Sequence, residues 1–247
     1  MESHRYRIKC MKNARILCAN IKTEVQRMNK IVTAKEALSR IKDGDTLLVG
    51  GFLQGGSPEY ILGELVDHPA RHLTIVNNDM GLAENNLTKI MENGRVDKII
   101  CTYIGLNPMA QQMYHTDPTT VELNPQGTLA ERIRCAGAGI AGFYTPTGVG
   151  TVIEEGKEKR SFDGVEYLFE RALSGDVAIV HAAVVDESGN CFMKGSSKNF
   201  NAVMPAAAEY VIVEAEKIVP VGEIDSELVT VSGIFIDAIV SIPKEGK

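Results

Sequence analysis

Asp43-Gly-Asp-Thr-Leu-Leu-Val-Gly-Gly-Phe-Leu-Gln-Gly-Gly-Ser-Pro-Glu59 is the stretch that decides the fold of this 247-residue chain. Asp43-Gly44 ends the element before it, and Thr46-Leu-Leu-Val49 has the length and unbroken apolar character of a strand buried on both faces. Ser57-Pro58-Glu59 reads as a helix entry, with Ser57 as N-cap, Pro58 where its missing N–H does no harm, and Glu59 favoured by the helix dipole. A buried strand that breaks into glycines and re-enters a helix places bare backbone at the carboxyl edge of a parallel sheet, where ligands bind. Glycine there lets a ligand approach the main chain, and free N–H groups at the helix start favour negative charge or a developing oxyanion.

Upstream, Thr33-Ala-Lys-Glu36 is a capping box, and Ala34, Ala37, Leu38 and Ile41 share one helical face. Downstream the alternation continues: Leu73 to Val76 as strand, Leu87 to Met91 as helix, Val96 to Ile100 as strand, Met109 to Tyr114 as helix, Val121 to Leu123 as strand. The polar turn Asn124-Pro-Gln-Gly127 leads into a second capping box, Thr128-Leu-Ala-Glu131, and a helix to about Cys135, so Gln126 sits beside a helix N-terminus. Residues 136–151 are glycine-rich. Asp176 to Val180, Ala182 to Val185 and Tyr210 to Val213 read as further strands, with a turn at Asp186-Glu-Ser-Gly-Asn190. The pattern predicts an α/β fold, a single domain with a mostly parallel open sheet flanked by helices.

Composition narrows the function. The first 30 residues carry eight Lys/Arg against Glu2 and Glu24, a head of +6 in a chain of net charge −6, so the remainder stands at −12 and nucleic acid is not an expected partner. The basic head reads as a disordered extension or the product of an upstream start codon, leaving residues 31–247 as the domain. No apolar run reaches the roughly 18 residues of a membrane span, and no Trp is present to anchor at an interface. Cys10, Cys18, Cys101, Cys135 and Cys191 are odd in number and scattered, which suits reduced thiols better than a disulfide framework or a zinc site.

The string Asp43-Gly44, two free positions, Leu47-Leu48-Val49, Gly50-Gly51-Phe52, three free positions, Gly56, one free position, Pro58 resembles the first signature of family I CoA-transferases. The resemblance extends through Val121 to Arg134, Gly137 to Thr151 and Ser197-Lys-Asn-Phe-Asn201, covering essentially residues 31–243. In length and motifs the chain is similar to the alpha subunit of the acetate, butyrate–acetoacetate and 3-oxoacid enzymes.

That resemblance implies a mechanism and a division of labour. A glutamate carried by a separate beta subunit performs the attack on an acyl-CoA thioester, and CoA passes through a glutamyl-CoA thioester to a second carboxylate. Gln126 is the expected donor to a substrate carboxylate or oxyanion, its neutral carboxamide lying where a helix dipole favours negative charge. Gly50, Gly51, Phe52, Leu53, Gln54, Gly55 and Gly56 are expected to contact coenzyme A or the acyl group. Asn77 and Asn78, after the strand ending at Val76, reach the same edge. Coenzyme A enters as substrate, with no tightly bound cofactor or metal expected, and the enzyme is expected to be a cytoplasmic bacterial α₂β₂ assembly.

Other motifs carry less. Glu92-Asn-Gly94 copies the letters of the family's catalytic motif but reads as an ordinary turn closing a helix. Gly137-Ala-Gly-Ile-Ala-Gly142 matches a dinucleotide pattern yet follows a helix instead of a strand. His68 and His72 have helical metal spacing broken by Pro69. Two rival functions stand beside the transferase: a sugar-phosphate isomerase or deaminase of related fold, and a non-catalytic acyl-CoA-binding subunit.

Overall fold

The computed structural model describes residues 30–243; the basic head before Lys30 lies outside them. The main sheet begins where expected. Strand β1 (Thr46–Val49) pairs in parallel with β2 (Leu73–Val76), β2 with β3 (Val96–Cys101), and β3 with β4 (Val121–Leu123). Helix α1 (Ala34–Leu38) precedes β1, and α2 (Glu59–Leu65), α3 (Asn86–Glu92) and α4 (Pro108–Thr116) connect the four strands in turn.

The chain then returns to the other side of β1. Strand β8 (Gly175–Asp186) pairs in parallel with β1 and with β10 (Ala208–Val219), and β10 with β11 (Ala238–Ser241). The strand order β11-β10-β8-β1-β2-β3-β4 therefore reverses direction between β1 and β8. Ligands bind at the carboxyl edge beside such a reversal, and the glycine-rich stretch begins there.

Alternation along the strands divides the core. Leu47 and Val49 face one layer with Ile61, Leu62 and Leu65 of α2, while Leu48 faces the other with Leu129 and Ile133. Those last two belong to α5 (Gln126–Gly137), which covers the second face together with the short turns around Met204 and Ala207. All of these side chains are buried, and truncating one such Leu or Ile to Ala costs about 2–5 kcal/mol.

Three local expectations change. The Thr33–Glu36 capping box forms as read, but α5 starts at Gln126, not Thr128, because Pro125 takes the N-cap position. Thr128 is buried, and Glu131 turns to Arg134 instead of back to the helix start. Ser57 likewise does not cap α2: its hydroxyl donates to Glu59 Oε1 at 2.6 Å, and the helix starts after Pro58. Finally, Asp176–Val180 and Ala182–Val185 are one continuous strand, because β8 runs on past the end of β1 with β10 as its neighbour.

Residues 142–171 add something unread in the sequence: a three-stranded antiparallel sheet of β5 (Gly142–Thr145), β7 (Val165–Arg171) and β6 (Lys159–Phe162). Its strands mix charged residues with aromatic ones and are mostly half-buried or exposed, so they lack the apolar run that marks β1. A two-residue strand β9 (Cys191–Phe192) turns back on β8 across the Asp186–Asn190 bend.

Candidate functional site

The glycine-rich stretch is a small closed loop. Phe52 N–H donates to Gly55 O at 3.1 Å and Gly55 N–H returns to Phe52 O at 2.9 Å. Gly50 N–H donates to Ile179 O at 2.9 Å, Gly51 N–H to Asn199 Oδ1 at 3.2 Å, and Leu53 N–H to Asp79 Oδ2 at 2.9 Å. Among the described residues only the Gln54 and Gly56 N–H groups of this loop have no acceptor. The expectation of a row of free main-chain donors therefore narrows to two.

Asparagines make the loop what it is. Asn201 Nδ2 donates to Gly56 O at 2.8 Å and Asn199 Nδ2 to Gly55 O at 2.9 Å. A Cβ at Gly50 would lie 1.8 Å from Asn201 Oδ1, and Gly56 combines φ +71° with a Cβ position 2.8 Å from Asn201 Nδ2. Glycine is required at both for close approach, before any ligand enters the argument.

The helix after the loop is not open either. Ile61 N–H, in the first turn of α2, donates to the buried Glu214 Oε2 at 2.8 Å. A carboxylate from β10 thus occupies the helix start that the sequence pattern leaves free for a ligand.

Asn77 is a staple between β1 and the turn after β2. Its Nδ2 donates to Val49 O at 2.9 Å, and its Oδ1 accepts from Met80 N at 2.7 Å and Asp79 N at 3.1 Å. Asn78 behaves differently. Its Nδ2 donates to Asp79 Oδ2 at 2.8 Å, while its Oδ1 accepts from Thr102 Oγ1 at 3.1 Å and from Gln126 Nε2 at 2.7 Å.

Three distant parts of the sequence are therefore joined by one chain of hydrogen bonds. It runs from Leu53 N–H to Asp79, from Asn78 to Asp79, and from Gln126 to Asn78. Asn78 and Asp79 are buried; Gln126 is exposed, so its carboxamide is held at one proton and presented with the other. Around it the N–H groups of Gln126, Gly127 and Thr128 have no acceptor among the described residues, and no side chain caps the helix. This second edge turn can accept an anion.

A charged frame holds that turn. Glu122 of β4 pairs with Lys98 Nζ at 2.6 Å and with Arg132 NH1 at 2.7 Å; Arg132 also donates to Asn124 Oδ1 and, through Nε, to Arg171 O at 2.9 Å. Burial works against the Glu122 carboxylate, but hydrogen bonds from Lys98 and Arg132 and their positive charges outweigh it and hold its pKa at about 2. Burial, with Asp79 and Glu122 adding to it, pushes the nearby Cys101 thiol up to about 12, so it is a packing group and not a nucleophile.

The remaining motifs of the sequence take ordinary places. Glu92 ends α3, and the Gly94 turn leads into the amino end of β3, the sheet edge away from the glycine loop. Gly137 closes α5 and Gly142 opens β5, the reverse of a dinucleotide-binding turn. His68 Nδ1 accepts from Ala70 N–H at 3.2 Å, and His72 pairs with Asp97 at 2.9 Å. The residues that sequence reasoning missed are Asp79, Asn199, Asn201, His181 and Glu214. The motif Ser197-Lys-Asn-Phe-Asn201 marks the two asparagines without giving them a role, and nothing in the one-dimensional string separates Asp79, His181 and Glu214 from surface residues, because each acquires its role from a partner far along the chain.

Comparison with known proteins adds an independent line. A coenzyme A transferase family model matches residues 31–241. The chain is 43% identical over 215 residues to the alpha subunit of the acetoacetyl-CoA:acetate/butyrate CoA transferase of Clostridium acetobutylicum, covering 87% of this chain and 99% of that one. It is 39% identical over 218 residues to the alpha subunit of the acetate CoA-transferase of Escherichia coli K12, covering 88% of this chain and 99% of that one. Among solved structures, the acyl-CoA transferase YdiF of Escherichia coli O157:H7 superposes with a TM-score of 0.78 at 20% identity. That match covers 90% of this chain and 48% of YdiF, so the present fold spans about half of the longer protein.

Proposed function

This chain belongs to the coenzyme A transferase family, and from that premise we propose that it moves coenzyme A between a short-chain acyl-CoA and a carboxylate acceptor, acetate, butyrate or acetoacetate, as the alpha subunit of an α₂β₂ enzyme. The observation that carries the reading is the 2.7 Å contact from Gln126 Nε2 to the buried Asn78, which fixes an exposed carboxamide beside the open start of α5.

The chemistry needs a nucleophilic carboxylate, which the proposal assigns to the beta subunit. That carboxylate attacks the thioester carbonyl, the C–S bond breaks, and CoA leaves as thiolate from an acyl-glutamyl anhydride. The thiolate attacks the glutamyl carbonyl, releasing the first carboxylic acid and leaving a glutamyl-CoA thioester. The incoming carboxylate repeats the two steps in reverse, so the glutamate is regenerated.

Each carbonyl attack builds a negative oxygen, and a preorganised N–H donor facing it is worth about 10²–10³ in rate. Gln126 supplies such a donor, Asn78 orients it, and Asn77 supports the loop beneath. Gln54 and Gly56 N–H and the half-exposed Phe52 are the loop groups left to meet the thioester. Phe52, Tyr103 and Leu106, large apolar side chains exposed after β1 and β3, favour a surface that a second polypeptide covers. Among the described residues no helix is long and apolar enough to cross a membrane, and the proposal places the enzyme in the bacterial cytoplasm.

Co-expression with a beta-type chain and assay of CoA exchange between acetoacetate and butyryl- or acetyl-CoA tests the proposal. The assembled pair is expected to turn over and this chain alone to show none. Exchange by the isolated chain would overturn the assignment of the glutamate to a partner.

A further inference from the structure

Beneath the glycine loop lies an ionic cluster, with His181 and Glu214 buried and Glu216 exposed, that the proposed chemistry does not use. His181 of β8 places Nδ1 3.4 Å from Glu214 Oε1 and Nε2 3.0 Å from Glu216 Oε1, both on β10. Its main-chain N–H donates to Asn201 Oδ1 at 3.0 Å. We infer that His181 is a positioning residue that fixes the exit of the glycine loop at Gly56 and the start of α2 at Ile61, the first through its main chain and the second through its protonated ring.

Donor counting favours the protonated state. Carboxylates accept hydrogen bonds and a neutral imidazole carries one N–H, so two simultaneous contacts require both nitrogens to be protonated. Burial disfavours the charged ring, but the hydrogen bonds and charges of Glu214 and Glu216 outweigh it, and the pKa of His181 lies above the ordinary histidine value. Among the described residues these two glutamates are the charged groups within ion-pair distance of the ring; α2, packed against the cluster, contributes the Ile61 N–H.

The ring acts on the start of α2, beyond the loop. Glu214 has one oxygen on His181 and the other on Ile61 N–H, so the imidazolium holds the carboxylate that anchors the start of α2. The main chain acts on the loop exit. Asn201, held by His181 N–H, donates to Gly56 O and Ser197 O and fills the space a Gly50 side chain would need. Residues 56–61 are thus held at both ends by contacts that lead to one residue. When the ring loses a proton, one contact loses its donor, the buried Glu214 loses its cation, and the start of α2 loosens.

The kinetic consequence rests on the reading of residues 50–56 as thioester-facing; the mechanical one does not. In the full-length chain, NMR titration is expected to give one midpoint, above the usual histidine range, for the His181 ring and the Ile61 amide it holds through Glu214, with the Gly56 amide at the loop exit following. His181→Lys, which keeps a cation throughout, is expected to freeze those amides in their acid-form positions. Ile61 and Gly56 amides that stay still while His181 titrates, or that titrate unchanged in H181K, would overturn the inference. In the assembled enzyme, His181→Gln is expected to lower kcat/KM for acyl-CoA by up to about 10²-fold, mainly through KM, with H181K restoring it. A loop that co-titrates while KM stays constant would support the positioning role and overturn the assignment of the loop to the thioester.

Discussion

Two glycine-bearing turns lie at the same carboxyl edge of the sheet, and they use their backbones in opposite ways. In residues 50–56, five of the seven N–H groups are bound to Ile179, Asn199, Asp79 or the loop itself, and the next helix is capped by Glu214 from another strand. In residues 124–127 the helix start is uncapped, the N–H groups of Gln126 and Gly127 have no acceptor among the described residues, and an oriented carboxamide stands over them. Glycine content does not distinguish a binding turn from a packed one; the fate of the donors does. The first turn is a closed wall of packed backbone, and the second is an open turn with free donors.

The largest expected effect breaks the wall. Gly50→Ala drives a Cβ into Asn201 Oδ1 at 1.8 Å, and relief of that clash costs Asn201 its bonds to Gly56, Ser197 and His181. Overpacking costs about 1–3 kcal/mol and each unsatisfied buried polar group about as much again, so a loss of about 3 kcal/mol or more is expected. Urea denaturation measures it. A variant as stable as the parent would mean the loop is not packed as described.

The next largest leaves the fold alone. Gln126→Ala removes an exposed carboxamide and one of the two hydrogen bonds on Asn78 Oδ1, so stability should fall by only about 1 kcal/mol, while turnover in the assembled enzyme falls by about 10². Denaturation midpoint and kcat, read on the same preparation, separate the two turns directly. Near-normal kinetics would remove Gln126 from the reaction.

The contrast also explains what was legible in the sequence. β1, the glycines that follow it and the capping box at Thr33 are local consequences of apolar runs and turn residues, and they stand where the pattern put them. Family resemblance singled out Gln126, and position after β2 singled out Asn78, but the contact between them spans 48 positions and was not legible in the string. The wall was not legible as a wall. Its donors are consumed by Asn199, Asn201 and Glu214, which lie on other elements, so a glycine-rich string looks open until tertiary partners close it. The β5-β7-β6 sheet escaped because β6 is exposed throughout, β5 is only half-buried, and one of the two residues that β7 buries is the charged Glu170.

A smaller effect separates the frames that hold the two turns. The open turn hangs on Glu122, whose folded pKa of about 2 lies below the ordinary glutamate value of 4.5. A carboxylate with a depressed folded pKa contributes stability that is full above its unfolded pKa and is lost as pH falls through the folded one. Stability should therefore drop between about pH 4.5 and pH 2, by about 1–2 kcal/mol once the solvent exposure of the group is allowed for. The wall rests on His181 and is sensitive in the other direction, being held below the usual histidine pKa and lost as pH rises through the raised folded value. Urea midpoints at about pH 5 and pH 2.5 should converge in Glu122→Gln, whereas an unchanged acid slope would place the acid sensitivity elsewhere.

The smallest effect is the sharpest discriminator. Gly127 is exposed in the first turn of α5, with open space where a Cβ would stand and no left-handed φ to forbid one. By backbone entropy alone, Gly127→Ala should be neutral or stabilise the chain by about 0.4–1 kcal/mol. Its counterpart at Gly50 is the same methyl group added at the same sheet edge, and the two should differ by several kcal/mol in stability because only one glycine is enclosed. If the open turn receives a carboxylate or oxyanion on its free N–H groups, the methyl added by G127A stands beside that anion. KM or kcat then worsens in a protein that is no less stable. Loss of stability instead would show the turn to be packed, and the distinction between the two glycine turns would fail at its simplest point.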